Sequence, residues 1–421
     1  MKSSKLYKIV FVFISIIFPL IITAGCSGNE NWISFRGNDG QGSTVKSIST
    51  PLAIKWKLRL QFSDKDLKSF NPPVIFDEYV YFGSEDGNFY SLDLNTGYMS
   101  WIFKSRASVN SVPFVDEKQI YFGSNDGYVY ALSRETGEEL WAFQTKYTVQ
   151  SLIVRHRDLI IFTSDRGNTH FLTVRGEEVH SLPNPIWSYH TFQVYDEIMY
   201  WAPGPPNSGV SFGAYDINNK NYIWVKSTEK GLNWYSFPAL HKEKIFYSAS
   251  GLSTSTNNDL KFIYYSVNRL NGEELWRYED NSYFGEKGTD IFSPKDMFLQ
   301  NHKLLDYLAP TIWKNLVIYT SGDAIVRAFN INTGKLVWQY TFQYPTSSAP
   351  TIAGNRIYFG VHGSDQPNQD KPRLVCLSTK TGKLQWEVGL DGNILSAPVI
   401  TGKYIIFGTD KSFFYILEEV F

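Results

Sequence analysis

Cysteine is nearly missing from this chain: Cys26 and Cys376 are the only two in 421 residues. A disulfide framework is therefore excluded, and packing must hold the fold. An excess of charge of one sign is missing too. There are 40 Lys and Arg against 41 Asp and Glu, a formal charge of −1. No run of basic residues interleaves with aromatics, so nucleic-acid binding has no electrostatic support. Long helical patterns are nearly absent, and no Gly-rich phosphate loop is present. The seven histidines (His156, His170, His180, His190, His241, His302 and His362) are scattered, without the tight spacing of a metal pair. His180 and His190 alone are placed to meet across one sheet.

Other fragments that look chemical have plainer readings. Glu85-Asp86-Gly87 and Asn125-Asp126-Gly127 lack the graded ligand set of a calcium loop and read as hairpin turns. A Gly-x-Ser-x-Gly string covers 209–213, but a nucleophile elbow needs a strand before the serine and a helix after it. A Pro-rich stretch precedes Ser211 and a strand-like Ala214-Tyr215-Asp216 follows it. The carboxylate pairs Glu138-Glu139 and Glu273-Glu274 sit in hairpins and read as solvated.

What the chain has is aromatics, 16% of residues, and a repeated phrase. Residues 79–101 read YVYFGSEDGNFYSLDLNTGYMSW, and 119–141 read QIYFGSNDGYVYALSRETGEELW. Shorter copies end at Trp276, Trp338 and Trp386. Each copy resolves into four short strands with period-2 alternation, joined by turns with Gly or Asn. Eight first strands are marked near Pro73, Pro113, Leu152, Thr191, Pro238, Pro310, Pro350 and Pro398. Proline suits the first residue of a strand. The eighth copy stops after its third strand, at 413–418, and the spare fourth strand is 53–58, around Trp56. Pairing the two closes a ring and removes both open edges. The reading is an all-β, eight-bladed propeller of four-stranded antiparallel blades, the last blade closed by the N-terminal strand. The last-strand tryptophans (Trp101, Trp141, Trp224, Trp276, Trp338 and Trp386) read as packing residues between blades, each hiding up to about 200 Å². The third copy, at 175–182, has none.

The first 25 residues do not belong to this pattern. Lys2, Lys5 and Lys8 precede an apolar run at 9–22 that is too short to span a membrane, and Thr23-Ala24-Gly25-Cys26 follows. The segment resembles a bacterial lipoprotein signal with its lipobox, though Thr23 stands where Leu is usual. The resemblance implies cleavage before Cys26 and acylation of that residue; several acyl chains give lasting anchoring. Without the leader's three lysines, 37 basic residues remain against 41 acidic. Cys376 reads as a small buried hydrophobe. The divisions expected are 1–25 signal, 26–52 anchor linker and entry segment, and 53–421 propeller.

The phrase x-Gly-Ser-x-Asp-Gly-x-x-Tyr-x-Leu-x-x-x-Thr-Gly-x-x-x-Trp, clearest at 83–101 and 123–141, resembles the repeat of pyrroloquinoline-quinone (PQQ) type propellers. Trp32-Ile33-Ser34-Phe35-Arg36-Gly37 is similar to the entry segment of exported bacterial members. Two branches of that superfamily bear on function. Quinoprotein dehydrogenases carry an adjacent Cys-Cys pair, a catalytic Asp and calcium ligands; this chain has no such pair. The anchored lipoprotein propellers of the BamB type are non-catalytic scaffolds of outer-membrane protein assembly. Resemblance to them implies no enzyme activity, no cofactor, a lipid anchor in the cell envelope, an outer-membrane position facing the periplasm, and envelope or outer-membrane proteins as partners. A glycan- or small-ligand-binding propeller is the alternative, and a quinone-dependent dehydrogenase a third.

Loop length adds a further clue. Turns between strands one and two are short, whereas 203–209, 226–234, 251–259, 280–307 and 362–372 are long. All of these fall between strands two and three or between blades, so they gather on one rim, where insertions in repeat folds collect for binding. A short helix is expected after Ser293-Pro294 in the longest of them. Trp201, Trp234, Tyr235, Tyr283 and Phe284 crowd this rim. They either pin the loops or form a recognition patch, since aromatics are enriched at interface centres.

Overall fold

Short alternating strands bury one side against each neighbouring sheet, and eight such sheets close into a ring. The computed structural model describes residues 31–59, 71–165, 168–183, 192–202, 211–227, 229, 232, 234–252, 260–283, 309–364 and 370–420. The helix expected after Ser293 lies outside them. Eight antiparallel blades are present. The first is Val74–Phe76, Tyr79–Gly83, Asn88–Asp93 and Met99–Lys104; the next six follow in chain order. The eighth takes Val399–Thr401, Tyr404–Gly408 and Phe413–Glu419 from the C-terminus and Leu52–Arg59 from the N-terminus. Trp56 lies opposite Ile416, and Arg59 opposite Phe413. The ring therefore closes as the repeat count requires, without an end strand to template aggregation. In blade 5 the inner strand is split into Trp234–Tyr235 and Ala239–His241, both paired to Lys244–Leu252.

The tryptophans form the seams. Trp101 of blade 1 donates its indole N–H to the Arg134 carbonyl of blade 2 at 3.1 Å. Trp56, Trp141, Trp224, Trp276 and Trp338 repeat this bond to Leu94, Val174, Arg269, Ile331 and Thr379 of the following blade. Each ring lies on the glycine of the next blade's last hairpin. At Gly137, with φ +73°, an added Cβ would come within 2.6 Å of the Trp101 ring, so glycine serves both the turn and the close approach. The residue opposite each tryptophan is small, as with Ser91, Ala131, Ala214, Ser266, Ala328 and Cys376; Ile416 opposite Trp56 is the exception. Most of these rings are half-buried rather than buried. Each seam contact is therefore weaker than full burial of about 200 Å² would give.

Two seams break the rule. Between blades 7 and 8, Trp386 meets no last hairpin, because the outer strand of blade 8 comes from the N-terminal side of the ring. In blade 3, His180 occupies the tryptophan position, opposite Phe171 instead of a small residue. Its Nε2 meets the Tyr215 hydroxyl at 3.0 Å, and His190 lies outside the described residues. The glycine of the next blade's hairpin is replaced by Lys220, at φ +54°. Burial, then Lys220, holds the His180 pKa below its ordinary value.

The chain ahead of the first blade is part of the packed body. From residue 31 onward, the stretch expected as linker and entry segment crosses the ring along the inner strands. Trp32 exchanges two backbone bonds with Ile75 of blade 1, and Val115 of blade 2 donates to Ile33. Phe35 packs edge-on against Phe237 of blade 5. Ser43–Thr44 pairs in parallel with the inner strand of blade 7. Arg36 is only 1% exposed; its guanidinium donates to the carbonyls of Pro310 (2.9 Å) and Gln41 (3.1 Å). Burial, opposed in part by Asp39, pulls its pKa down to about 9.

The blade 3–4 seam yields a stability prediction. Installing the common geometry with His180→Trp, Phe171→Ala and Lys220→Gly should raise the melting temperature, by about 1–2 kcal/mol of added stability. A group with a depressed folded pKa such as His180 contributes stability above its unfolded pKa that is lost as pH falls. The same variant should therefore flatten the loss of stability below about pH 6.5, measured by thermal melts across pH.

Candidate protein-binding rim

The ring has two unlike faces. On one, first and second strands are joined by two-residue turns such as Asp77-Glu78 and Lys314-Asn315, and last hairpins turn on the seam glycines. On the other lie the connections between strands two and three and those between blades. Long stretches of chain between strands, from Trp201 to Ser211, Ser227 to Trp234, Leu252 to Leu260 and Asn281 to Thr311, belong to these two kinds of connection.

On that second face, the repeat's Asp-Gly-x-x-Tyr phrase builds a small tie. Asp86 accepts from the Asn88 amide (2.8 Å) and from the Tyr90 hydroxyl. Asp126 does the same with Tyr128 and Tyr130 (2.9 and 2.7 Å). These carboxylates thus have turn partners, as a hairpin requires. In blade 6 the phrase becomes Asp323-Ala324-Ile325-Val326-Arg327. Arginine in the tyrosine's place turns the hydroxyl-to-carboxylate bond into an ion pair, both side chains fully buried, with Arg327 Nη2 at 3.0 Å from Asp323 Oδ2. Arg327 Nε also meets Asp280 of blade 5 at 3.0 Å, and its guanidinium lies over the Tyr264 ring. Burial works against the charge on Arg327, but Tyr264, Asp323 and Asp280 outweigh it and keep the group protonated. Burial raises the Asp323 carboxyl, and Arg327 opposes that rise.

This pair anchors a rim aromatic. Tyr283 donates its amide to Asp323 Oδ2 at 3.4 Å and accepts from the Ala324 amide at 2.7 Å. The residue is 40% exposed. Of the five aromatics expected on the rim, Tyr283 is the one the structure displays. Trp234 and Tyr235 have described backbones, opposite Ser250 and Ala249 at the end of the long blade 5 hairpin. Phe284 lies outside the described residues, as does Cys26. Trp201 is a correction. It is 7% exposed and packs with Phe192 and Tyr215, because Gly213 opposite leaves room for its indole. A ring so placed is core and offers nothing to a partner.

Elsewhere the chemistry is quiet. Ser211 opens the strand Ser211–Asp216, so no helix follows it and the nucleophile elbow is not formed. Cys376 is fully buried, and desolvation pushes its thiol up to about 11. His156 pairs with Glu197 at 2.8 Å, and His170 with Glu178 at 2.7 Å. Among the described residues no three His, Cys, Asp or Glu side chains gather as a metal site. A groove of about 530 Å³ between blades 4 and 5 brings Phe212, Tyr247 and Tyr265 beside Glu229 and Glu273. Tyr247 and Tyr265 are buried, so neither offers the open ring face on which a sugar stacks.

The family model described as outer membrane protein assembly factor BamB matches residues 28–183, 261–366 and 322–419. No curated protein is matched by the sequence. Among solved structures, BamB from Moraxella catarrhalis is similar at 14% identity and TM-score 0.63, covering 88% of this chain and 100% of that one. Quinohemoprotein alcohol dehydrogenase from Comamonas testosteroni is similar at 14% identity and TM-score 0.67, covering 92% and 80%. A europium-containing methanol dehydrogenase gives 13% identity and TM-score 0.64, covering 93% and 98%. At such identities these structures share the fold, and the fold alone does not choose between scaffold and dehydrogenase.

Removing one partner from a buried ion pair strands the other charge. Asp323→Ala should therefore cost about 3–5 kcal/mol in chemical denaturation. Hydrogen exchange at the Ala324 and Tyr283 amides should quicken more than at the Asn88 amide of blade 1.

Proposed function

Because the chain belongs to the family of the outer membrane protein assembly factor BamB, we propose that it is a non-enzymatic scaffold of the bacterial cell envelope. Acyl chains on Cys26 hold it at a membrane, the outer one, facing the periplasm. Its loop-bearing face receives envelope or outer-membrane proteins. The family match over most of the chain carries this reading. Two observations support it. Tyr283 stands exposed on that face on a main chain fixed by Asp323 and Arg327. Trp234 and Tyr235 extend the neighbouring blade toward the same side. A rigid aromatic on a fixed backbone loses little entropy on binding, as hot-spot residues do.

The dehydrogenase reading has the structural neighbours in its favour. Against it stands the chain's cysteine usage: no adjacent pair exists in the sequence, and Cys376 lies sealed between strands.

Crosslinking in cells followed by affinity recovery tests the scaffold role. The unaltered chain should recover an outer-membrane assembly protein, and Trp234→Ala with Tyr283→Ala should lower recovery at least tenfold at unchanged melting temperature. Capture that survives the double substitution removes the rim from the interface. Independently, Cys26→Ser should move the protein from the membrane fraction to the soluble periplasmic fraction.

A further inference from the structure

The inner strand of each blade turns one edge toward the ring axis, and the chain's own N-terminal segment uses several of these edges. In blade 1 the closing pair of the two-residue turn is Phe76 with Tyr79, so Ile75 between the ladder bonds points its amide and carbonyl inward. Both bond Trp32, at 2.8 and 2.9 Å. In blade 2 the equivalent Val115 donates to Ile33 at 3.0 Å. In blade 7 the equivalent Ile352 donates to Gly42 at 2.9 Å. Trp32 runs antiparallel to its blade, whereas Ser43–Thr44 runs parallel to its own.

Blade 4 has the same edge without an occupant. Its first hairpin closes at Tyr195 with Ile198, so Val194 is the inward-pointing residue. No strand pairs with Phe192–Tyr195 on its axial side among the described residues. The edge opens instead into a cleft of about 580 Å³ between the N-terminal segment and blades 2–5. Leu152, Phe192 and Phe237 form an apolar, buried floor. The mouth carries Arg157 and Asp196, each with 69% of its side chain exposed. This cleft is on the face of short turns, opposite Tyr283.

We propose that this cleft receives an extended segment of a partner protein, which adds to blade 4 as a short strand through the Val194 amide and carbonyl, with an apolar side chain on the Leu152–Phe192 floor. The occupant follows from continuity: residues 32–44 of this chain already bind three inner edges in that way, two of them through the apolar pair Trp32-Ile33. Main-chain bonds supply affinity in strand addition, and alternate side-chain sites supply selectivity. The proposal does not depend on the loop-face scaffold role.

The probe is a fluorescein-labelled, end-capped octapeptide alternating valine and threonine, measured by anisotropy against the full mature chain. Saturable binding with Kd of about 10–100 µM is expected. An analogue methylated on alternate backbone nitrogens should bind at least tenfold more weakly. Val194→Pro removes the inward donor while sparing the ladder, as proline on an edge strand does, and should weaken the parent peptide at least tenfold. Hydrogen exchange on the unaltered chain gives a readout independent of that variant's folding: the peptide should slow exchange at the Val194 amide. Tyr283→Ala should leave the affinity unchanged. Lack of saturation by about 1 mM, equal binding of the methylated peptide, or an unchanged Val194 exchange rate would each overturn the proposal.

Discussion

A tryptophan laid on a glycine turn is the interaction on which the ring depends. The indole of one blade reaches the hairpin of the next, finds a carbonyl for its N–H, and occupies space that a Cβ would deny it. A small residue on the adjoining strand makes room beneath the ring. Three positions therefore agree at five of the eight seams. The departure between blades 3 and 4 shows the same volume rule reversed: His180 is smaller than tryptophan, and Phe171 is correspondingly larger.

Closure frees the two faces to differ. The face of two-residue turns leaves little room for variation, and residues 31–51 lie across it from blade 1 to blade 7. The opposite face takes up nearly all the variation in connection length. The Asp323–Arg327 pair stands there, where blades 1 and 2 have a tyrosine hydroxyl on the carboxylate. Burying two charges gains little stability over an apolar pair. What it adds at this place is direction: the carboxylate also holds the Tyr283 main chain.

Much of the architecture was legible in the sequence, because the repeat carries its own punctuation. The eight prolyl or apolar strand starts, the Thr-Gly turns and the spare strand at Trp56 correspond to observed elements. The site was less legible, for reasons that particular residues show. Trp201 sits in a rim-like stretch of sequence, yet Gly213, its cross-strand neighbour, draws it inward. Residues 31–52 lack a repeat, so nothing local shows that they bind inner strands hundreds of residues away. The Asp323–Arg327 pair was readable in principle. Aligning Asp-Ala-Ile-Val-Arg on Asp-Gly-x-x-Tyr puts a charge where the first two copies have a tyrosine.

The eighth blade also sets an order of events. Lys55 meets Glu418 across 363 positions of chain, so the earliest-made blade strand has to wait for the last. A nascent chain made amino end first would hold its foremost blade strand open until nearly all the remaining residues had been added. During that interval the partly built fan is a linear stack with two sticky margins. Escort by a chaperone is then most needed late in synthesis, and loss of the final few residues should be more damaging than an equal loss from any loop.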